Sequence, residues 1–242
     1  MIKYIQYEVK NALGNIFTVI FGFIFPALIT LIFYFAFSSS NQGDNLEQFK
    51  IGMFVSNLMI APLAILLIGF SALFSQEIEK QVALRMSLLG YDEKKQFLAK
   101  FIAQFLVMMA SLIVYSMIVY PVLNIKSFNV IGLFMIGLLI LILSFSIFMI
   151  AFGLSMLAKK FSIAYGISMS TYFIVLVLSG MMGVSSDNLP VGLKEVSLAL
   201  PTTHIVKHGY QLWMHISFDS WGLILSMSGC LIFSVVLFNR FN

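Results

Sequence analysis

Residues 51–100 read IGMFVSNLMIAPLAILLIGFSALFSQEIEKQVALRMSLLGYDEKKQFLAK. Their first half, 51–74, contains no Asp, Glu, Lys, Arg or His and is long enough as a helix to cross about 30 Å of hydrocarbon. The second half, 75–100, holds nine charged residues: Glu77, Glu79, Lys80, Arg85, Asp92, Glu93, Lys94, Lys95 and Lys100. An apolar run followed at once by a compact charged segment, and then by another apolar run, describes a chain that crosses a membrane, turns in water and returns. The turn is itself structured, because Ile78, Val82, Arg85 and Leu89 recur at helical spacing and Gly90 offers a left-handed stop. Asp92 then offers an N-cap for the next helix.

The rest of the chain fits this reading. Of its 242 residues, 60% are hydrophobic and 10% charged, with 25 Phe and 15 Met, and the mean hydropathy is +1.00. So few charges cannot clothe a water-soluble fold of this size, and lipid must cover the remainder. The net charge of +4 falls in short clusters beside apolar runs rather than on one stripe, which points to anionic lipid and away from nucleic acid. Cys230 lies inside an apolar run and has no second cysteine to pair with.

Six apolar runs are expected to span: 16–37, 51–74, 101–123, 130–158, 161–183 and 220–238. The first is too long for a signal-peptide core and has Pro26 at its middle, so it reads as a retained span. With six spans, Lys3, Lys10, Lys80, Arg85, Lys94, Lys95, Lys100, Lys159, Lys160 and Arg240 share one side. Lys50, Lys126, Lys194 and Lys207 take the other, which places both termini in the cytoplasm. Ahead of the first span, Ile2, Ile5, Val9, Leu13 and Ile16 form the apolar stripe of a short amphipathic helix expected at the inner membrane surface.

The acidic pair Glu77 and Glu79 after the second span, a hydrophobic helix ending in Leu88, Leu89 and Gly90, and the charged approach through Phe97 to Lys100 together resemble the coupling-helix loop of type-2 ABC exporter permeases. In that family the loop docks in a groove of a separate ATPase subunit. The resemblance therefore implies that Glu77, Glu79, Val82, Arg85, Leu88, Leu89 and Gly90 couple this chain to an ATPase. Usual members have a Gly-Thr pair where this sequence has Gln81 and Val82. Residues 184–219 carry Leu189, Leu193, Val196 and Leu200 as one helix face and Ile205, Gly209, Leu212 and Trp213 as another, with Pro190 and Pro201 ahead of the two pieces. This pattern resembles the external re-entrant hairpin of the same family. The fold expected is a single all-α, polytopic membrane domain: interface helix, six spans, coupling loop at 75–100 and external hairpin at 184–219.

The spans hold no titratable group suited to a proton relay or to acid–base chemistry. The chain also lacks GxxxxGK[ST], and Gly90 is followed by Tyr91, Asp92 and Glu93, which would repel phosphate. Energy is therefore expected from a second polypeptide that holds ATP and Mg²⁺, with no cofactor, catalytic residue or metal in this chain. His204 and His208 have a spacing that can ligate zinc but lack HExxH and a well-placed carboxylate. Asn57 and Gln104 are the span residues least comfortable in lipid, and Gly166 and Ser170 are spaced for close helix approach.

The resemblance lines a path with the first, second and fifth spans, implicating Thr30, Tyr34, Asn57, Ser168 and Tyr172. It implies a permease working as two copies, or with a related permease, in a bacterial plasma membrane. Its expected cargo is hydrophobic or amphipathic, with peptides favoured. The competing classes are a channel or ATP-independent secondary transporter, and an intramembrane lipid-modifying enzyme, for which only His204, His208 and Glu195 offer titratable groups near a surface.

Overall fold

The computed structural model describes residues 1–37, 44–90, 92–127, 129–182, 186–217 and 219–241, and every regular element among them is helical. A first helix, α1 (Ile2–Gly14), leads into α2 (Ile16–Phe37). The quoted stretch folds as most of α3 (Leu46–Glu79), α4 (Val82–Leu88) and the start of α5 (Glu93–Leu123). Beyond them lie α6 (Val130–Ala158) and α7 (Phe161–Leu178). Three short helices follow, α8 (Val191–Leu198), α9 (Pro201–Lys207) and α10 (Gly209–Met214), before α11 (Trp221–Phe241). Six of these helices, α2, α3, α5, α6, α7 and α11, are long and apolar enough to cross a membrane, so the all-α six-span reading holds.

The centre of the bundle is α3, whose most apolar window is 89% buried, against 22–39% for the other five. Its eight residues Leu63–Phe70 form a π-helical stretch, and all of them are buried. Five residues of α2, Ile20–Ile24, are π-helical too. The two helices meet where side chains are absent. A Cβ on Gly22 would lie 2.5 Å from Ile65 Cγ1, and one on Gly69 would overlap the Thr18 hydroxyl. Pro26 donates nothing to the preceding turn of α2, and the Gly22 carbonyl in that turn accepts from Ser111 Oγ of α5 at 2.5 Å.

Polar side chains staple α3 to its neighbours. Ser71 Oγ of α3 meets Ser168 Oγ of α7 at 2.5 Å, while Ser155 Oγ of α6 donates to the Ser71 carbonyl at 3.3 Å. Tyr115 OH of α5 donates to the Phe54 carbonyl of α3 and pairs with Thr30 Oγ1 of α2, each at 3.1 Å. Facing outward, α2 shows Ile16, Ile20, Ile24, Leu28 and Ile32, one every four residues, as a stripe for lipid.

The structure differs from the sequence reading in the fifth span and in the hairpin. The fifth span stops at Leu178 because Gly180 takes a left-handed conformation (φ 82) and Met181 N–H returns to the Leu176 carbonyl at 3.1 Å. Expected residues 183, 184, 185 and 218 of that span and the hairpin lie outside the described residues. The hairpin region has three short helices rather than two, broken at Leu200 and His208. Its first helix exposes Val191, Leu193, Val196 and Leu198, whereas Ile205, Leu212 and Trp213 are buried in the bundle. Gly166 and Ser170, spaced for close approach, are exposed and face away from the other described helices, and the packed face of α7 carries Ala164, Ser168 and Tyr172 instead.

α10 is seated on α6 at Gly132, where a Cβ would lie 2.9 Å from the Leu212 carbonyl oxygen and overlap that of Trp213. Because the obstacle is backbone, Gly132→Ala should lose about 1–3 kcal/mol. Gly137→Ala on the same helix meets open space and should hold or slightly raise the unfolding temperature in detergent.

Candidate functional site

The elbow between α3 and α5 departs from the expected single helix. Lys80 and Gln81 interrupt it, with Gln81 left-handed (φ 51) where the loops it resembles place glycine. Beyond the break, α4 ends as expected: Leu89 N–H returns to Arg85, Gly90 is left-handed (φ 83), and Asp92 Oδ1 accepts from Lys94 N–H at 2.9 Å. The short helix turns Val82 and Met86 toward α1 and leaves Leu84, Leu88 and Leu89 bare, at 53%, 80% and 73% exposure. Arg85 and Gly90 are exposed beside them.

The two acidic residues expected at this elbow are engaged within the chain. Lys100 Nζ of α5 donates to Glu77 at 2.8 Å and to Glu8 of α1 at 2.5 Å, and all three side chains are more than four-fifths buried. Glu79 Oε2 accepts from the Phe161 N–H at 2.9 Å, so it closes the first turn of α7. Glu77 thus ties the stem of the elbow to α1 and α5, and Glu79 ties it to α7. Of the seven residues, Glu77 and Glu79 form a base, Val82 packs inward, and Arg85, Leu88, Leu89 and Gly90 form a tip.

Sequence reasoning did not find Lys100 and Glu8 as partners. The signal was present: Glu8 interrupts the Ile5–Val9 side of α1, and Lys100 is the last charge before a long apolar run. An ion at the lip of a span seeks a counter-ion, but spacing along the chain does not say which one. Under the stem, a layer of rings fixes the helices: Phe70 on Phe148 at 4.4 Å, Phe97 on Phe152 at 5.2 Å, and Phe152 on Phe238 at 5.1 Å.

The expected path residues do not come together. Thr30 is buried, donating to the Pro26 carbonyl at 2.7 Å and pairing with Tyr115. Ser168 is spent on Ser71. Tyr172 is buried beside Phe21, 6.0 Å between ring centres, and its hydroxyl has no partner among the described residues. Tyr34 is half-buried, with the Lys50 ammonium 5.9 Å from its ring centre. Asn57 alone of the five lines an open cleft, of about 580 Å³, at the end of the bundle opposite α4.

Phe33, Phe37, Met53 and Met181 give this cleft apolar walls, and Asp187 and Lys207 stand at its rim. Lys207 donates to Asp187 at 3.2 Å and Lys194 lies at the same distance, holding that carboxyl below the usual carboxylate range. Asn57 Oδ1 is buried without a partner among the described residues, as is Gln104 Oε1, so the two residues least suited to lipid stay incompletely satisfied.

His204 Nε2 donates to the Leu198 carbonyl at 2.9 Å, its ring against Gly222. Burial, with Lys207 and His204 nearby, pushes the His208 imidazole down from its ordinary value. No group of three metal-ligating side chains occurs among the described residues.

A family model described as ABC-2 type transporter matches residues 3–210. No curated protein and no solved structure matches the chain.

The ion cluster gives a direct expectation. Lys100→Met leaves Glu8 and Glu77 close together without their cation and should lower stability by about 2–3 kcal/mol, read by thermal unfolding in detergent. Adding Glu8→Gln and Glu77→Gln to the same chain should recover part of that loss; a triple variant no better than Lys100→Met would show that the cluster contributes nothing through its charges.

Proposed function

This chain belongs to the ABC-2 type transporter family and is the permease subunit of an ABC transporter, and from that premise we propose that it is an exporter driven through α4. Members of the family pair with an ABC ATPase subunit. The observation that carries the docking assignment is the bare leucine tip, Leu84, Leu88 and Leu89, on a base held by Glu77 and Glu79. Exposed leucines in contact with water mark a surface that another protein covers. ATP and Mg²⁺ are held by that partner, and this chain contributes no catalytic group.

Ten of the fourteen Lys and Arg residues lie at the end bearing α1 and α4, which supports a cytoplasmic placement for that end and both termini, in a bacterial plasma membrane. Two copies, or this chain with a related permease, form the path. The cargo is hydrophobic or amphipathic, a peptide by preference, and leaves through the cleft lined by Asn57 at the outer end. Apolar walls with one amide and a charged rim suit such a molecule better than a small hydrophilic one.

Leu88→Asp and Leu89→Asp should abolish co-purification with the ATPase and stop transport, leaving membrane insertion and unfolding temperature unchanged; undiminished transport would remove α4 as the docking element. Asn57→Leu deletes an oxygen that has no bond to lose, so stability should hold or rise while ATPase binding persists. Transport should fall several-fold, and an unaltered rate would take the outer cleft off the path.

A further inference from the structure

Between α1, the end of α3, and α4 lies a cleft of about 610 Å³. A second, of about 440 Å³, continues it along α1, the two sharing Asn11, Leu73 and Gln76 as lining residues. The chemistry of this groove changes along its length. Lys3, Tyr7 and Lys80 line one end, the shared amides and Leu73 lie midway, and Ile16 and Phe17 stand at the other end, where α2 begins its apolar run.

The cations of the groove are unequally used. Lys100 is neutralised by Glu8 and Glu77, whereas Lys3, Lys80 and Lys10 make no ion pair among the described residues. The three-residue cluster keeps one negative charge in excess, which holds an anion away from the floor and favours the lysine-lined mouth. Ammonium groups and a phenol at one end of a groove whose other end sets Ile16, Phe17 and Phe161 beside the polar Lys10 and Asn15 match a molecule with an anionic head and a hydrocarbon tail that follows the apolar wall. A free anion would find no use for Ile16, Phe17 and Leu73.

We propose that this groove is a binding site for one anionic phospholipid, its phosphate diester held at Lys3 and Lys80 and its acyl chain directed past Leu73 toward Ile16 and Phe17. The lipid wedges the terminal helix against the stem of the elbow, touching α1, α3 and α4 together. The proposal rests on the chain being a membrane permease but not on the direction of transport, the cargo or the ATPase. It is therefore tested on the full chain alone, so that a failure here leaves α4 docking untouched.

The purified full chain is titrated with phosphatidylglycerol in neutral detergent micelles, and binding is read by native mass spectrometry and by the rise in unfolding temperature. A lysine near an anionic headgroup is worth about five-fold in affinity, so Lys3→Gln with Lys80→Gln should weaken binding by about 30-fold. Lys94→Gln with Lys95→Gln removes equal charge from the same end outside the groove and should change nothing. Equal loss in both double variants, or equal binding of phosphatidylcholine, would overturn the site in favour of diffuse surface charge or a nonspecific annulus. Stabilisation by millimolar inorganic phosphate that displaces the lipid would also overturn it, identifying a free-anion site.

Discussion

Lipid offers no hydrogen-bond partner, so each polar backbone group at membrane depth must be satisfied inside the protein, and the bundle is organised by that constraint. It bears hardest on α3, which has Pro62 at the head of a π-helical stretch and is sheathed by the other helices. Irregular backbone is admissible there because protein surrounds it. The same logic explains Ser111, whose hydroxyl reaches the Gly22 carbonyl beside Pro26, and the three serines that join α3, α6 and α7. Between helices in lipid there is little hydrophobic drive to associate, so close approach at Gly22 and Gly69 and a few short hydrogen bonds supply the specificity.

At the end bearing α4 the constraint changes sign. Charged groups are present, and the strongest arrangement among them is one lysine between two carboxylates from two different helices. A pair of ions at a membrane lip costs desolvation, which direct bonds at 2.5 and 2.8 Å offset. Its consequence is mechanical: α1, the stem of α3 and the start of α5 share one polar knot above a layer of packed phenylalanines. Displacement of the stem is then conveyed to both α1 and α5.

Much of this was legible in the residues. Apolar run length and the absence of charge located six spans, Gly90 and Asp92 marked the far side of the elbow, and Pro190 and Pro201 marked helix starts, because these signals are local. The break at Gln81 was not legible, since no turn residue announces it; the chain accepts a left-handed glutamine there to redirect α4. Nor could spacing separate Glu77 and Glu79, which hold the base, from Leu88 and Leu89, which form the tip. Thr30 and Ser168 looked like path residues because polarity in a span is noticeable, yet their hydroxyls are consumed in helix contacts. Asn57 differs only through where α3 places it, beside a cleft that exists in three dimensions and leaves no mark along the chain.

If α4 is the docking element proposed above, it has to be stiff where it is rooted and uncovered where it is met. α4 is rooted through Glu77, Glu79 and the Asp92 cap, and uncovered at Leu84, Leu88 and Leu89. Its inward side, Val82 and Met86, lines the groove beside α1 rather than a packed core. α3 is buried along most of its length, and toward the end of the bundle opposite α4 it carries Asn57 at the open cleft. In the exporter reading, a push on α4 reaches the opposite surface along α3, the most buried of the six long helices.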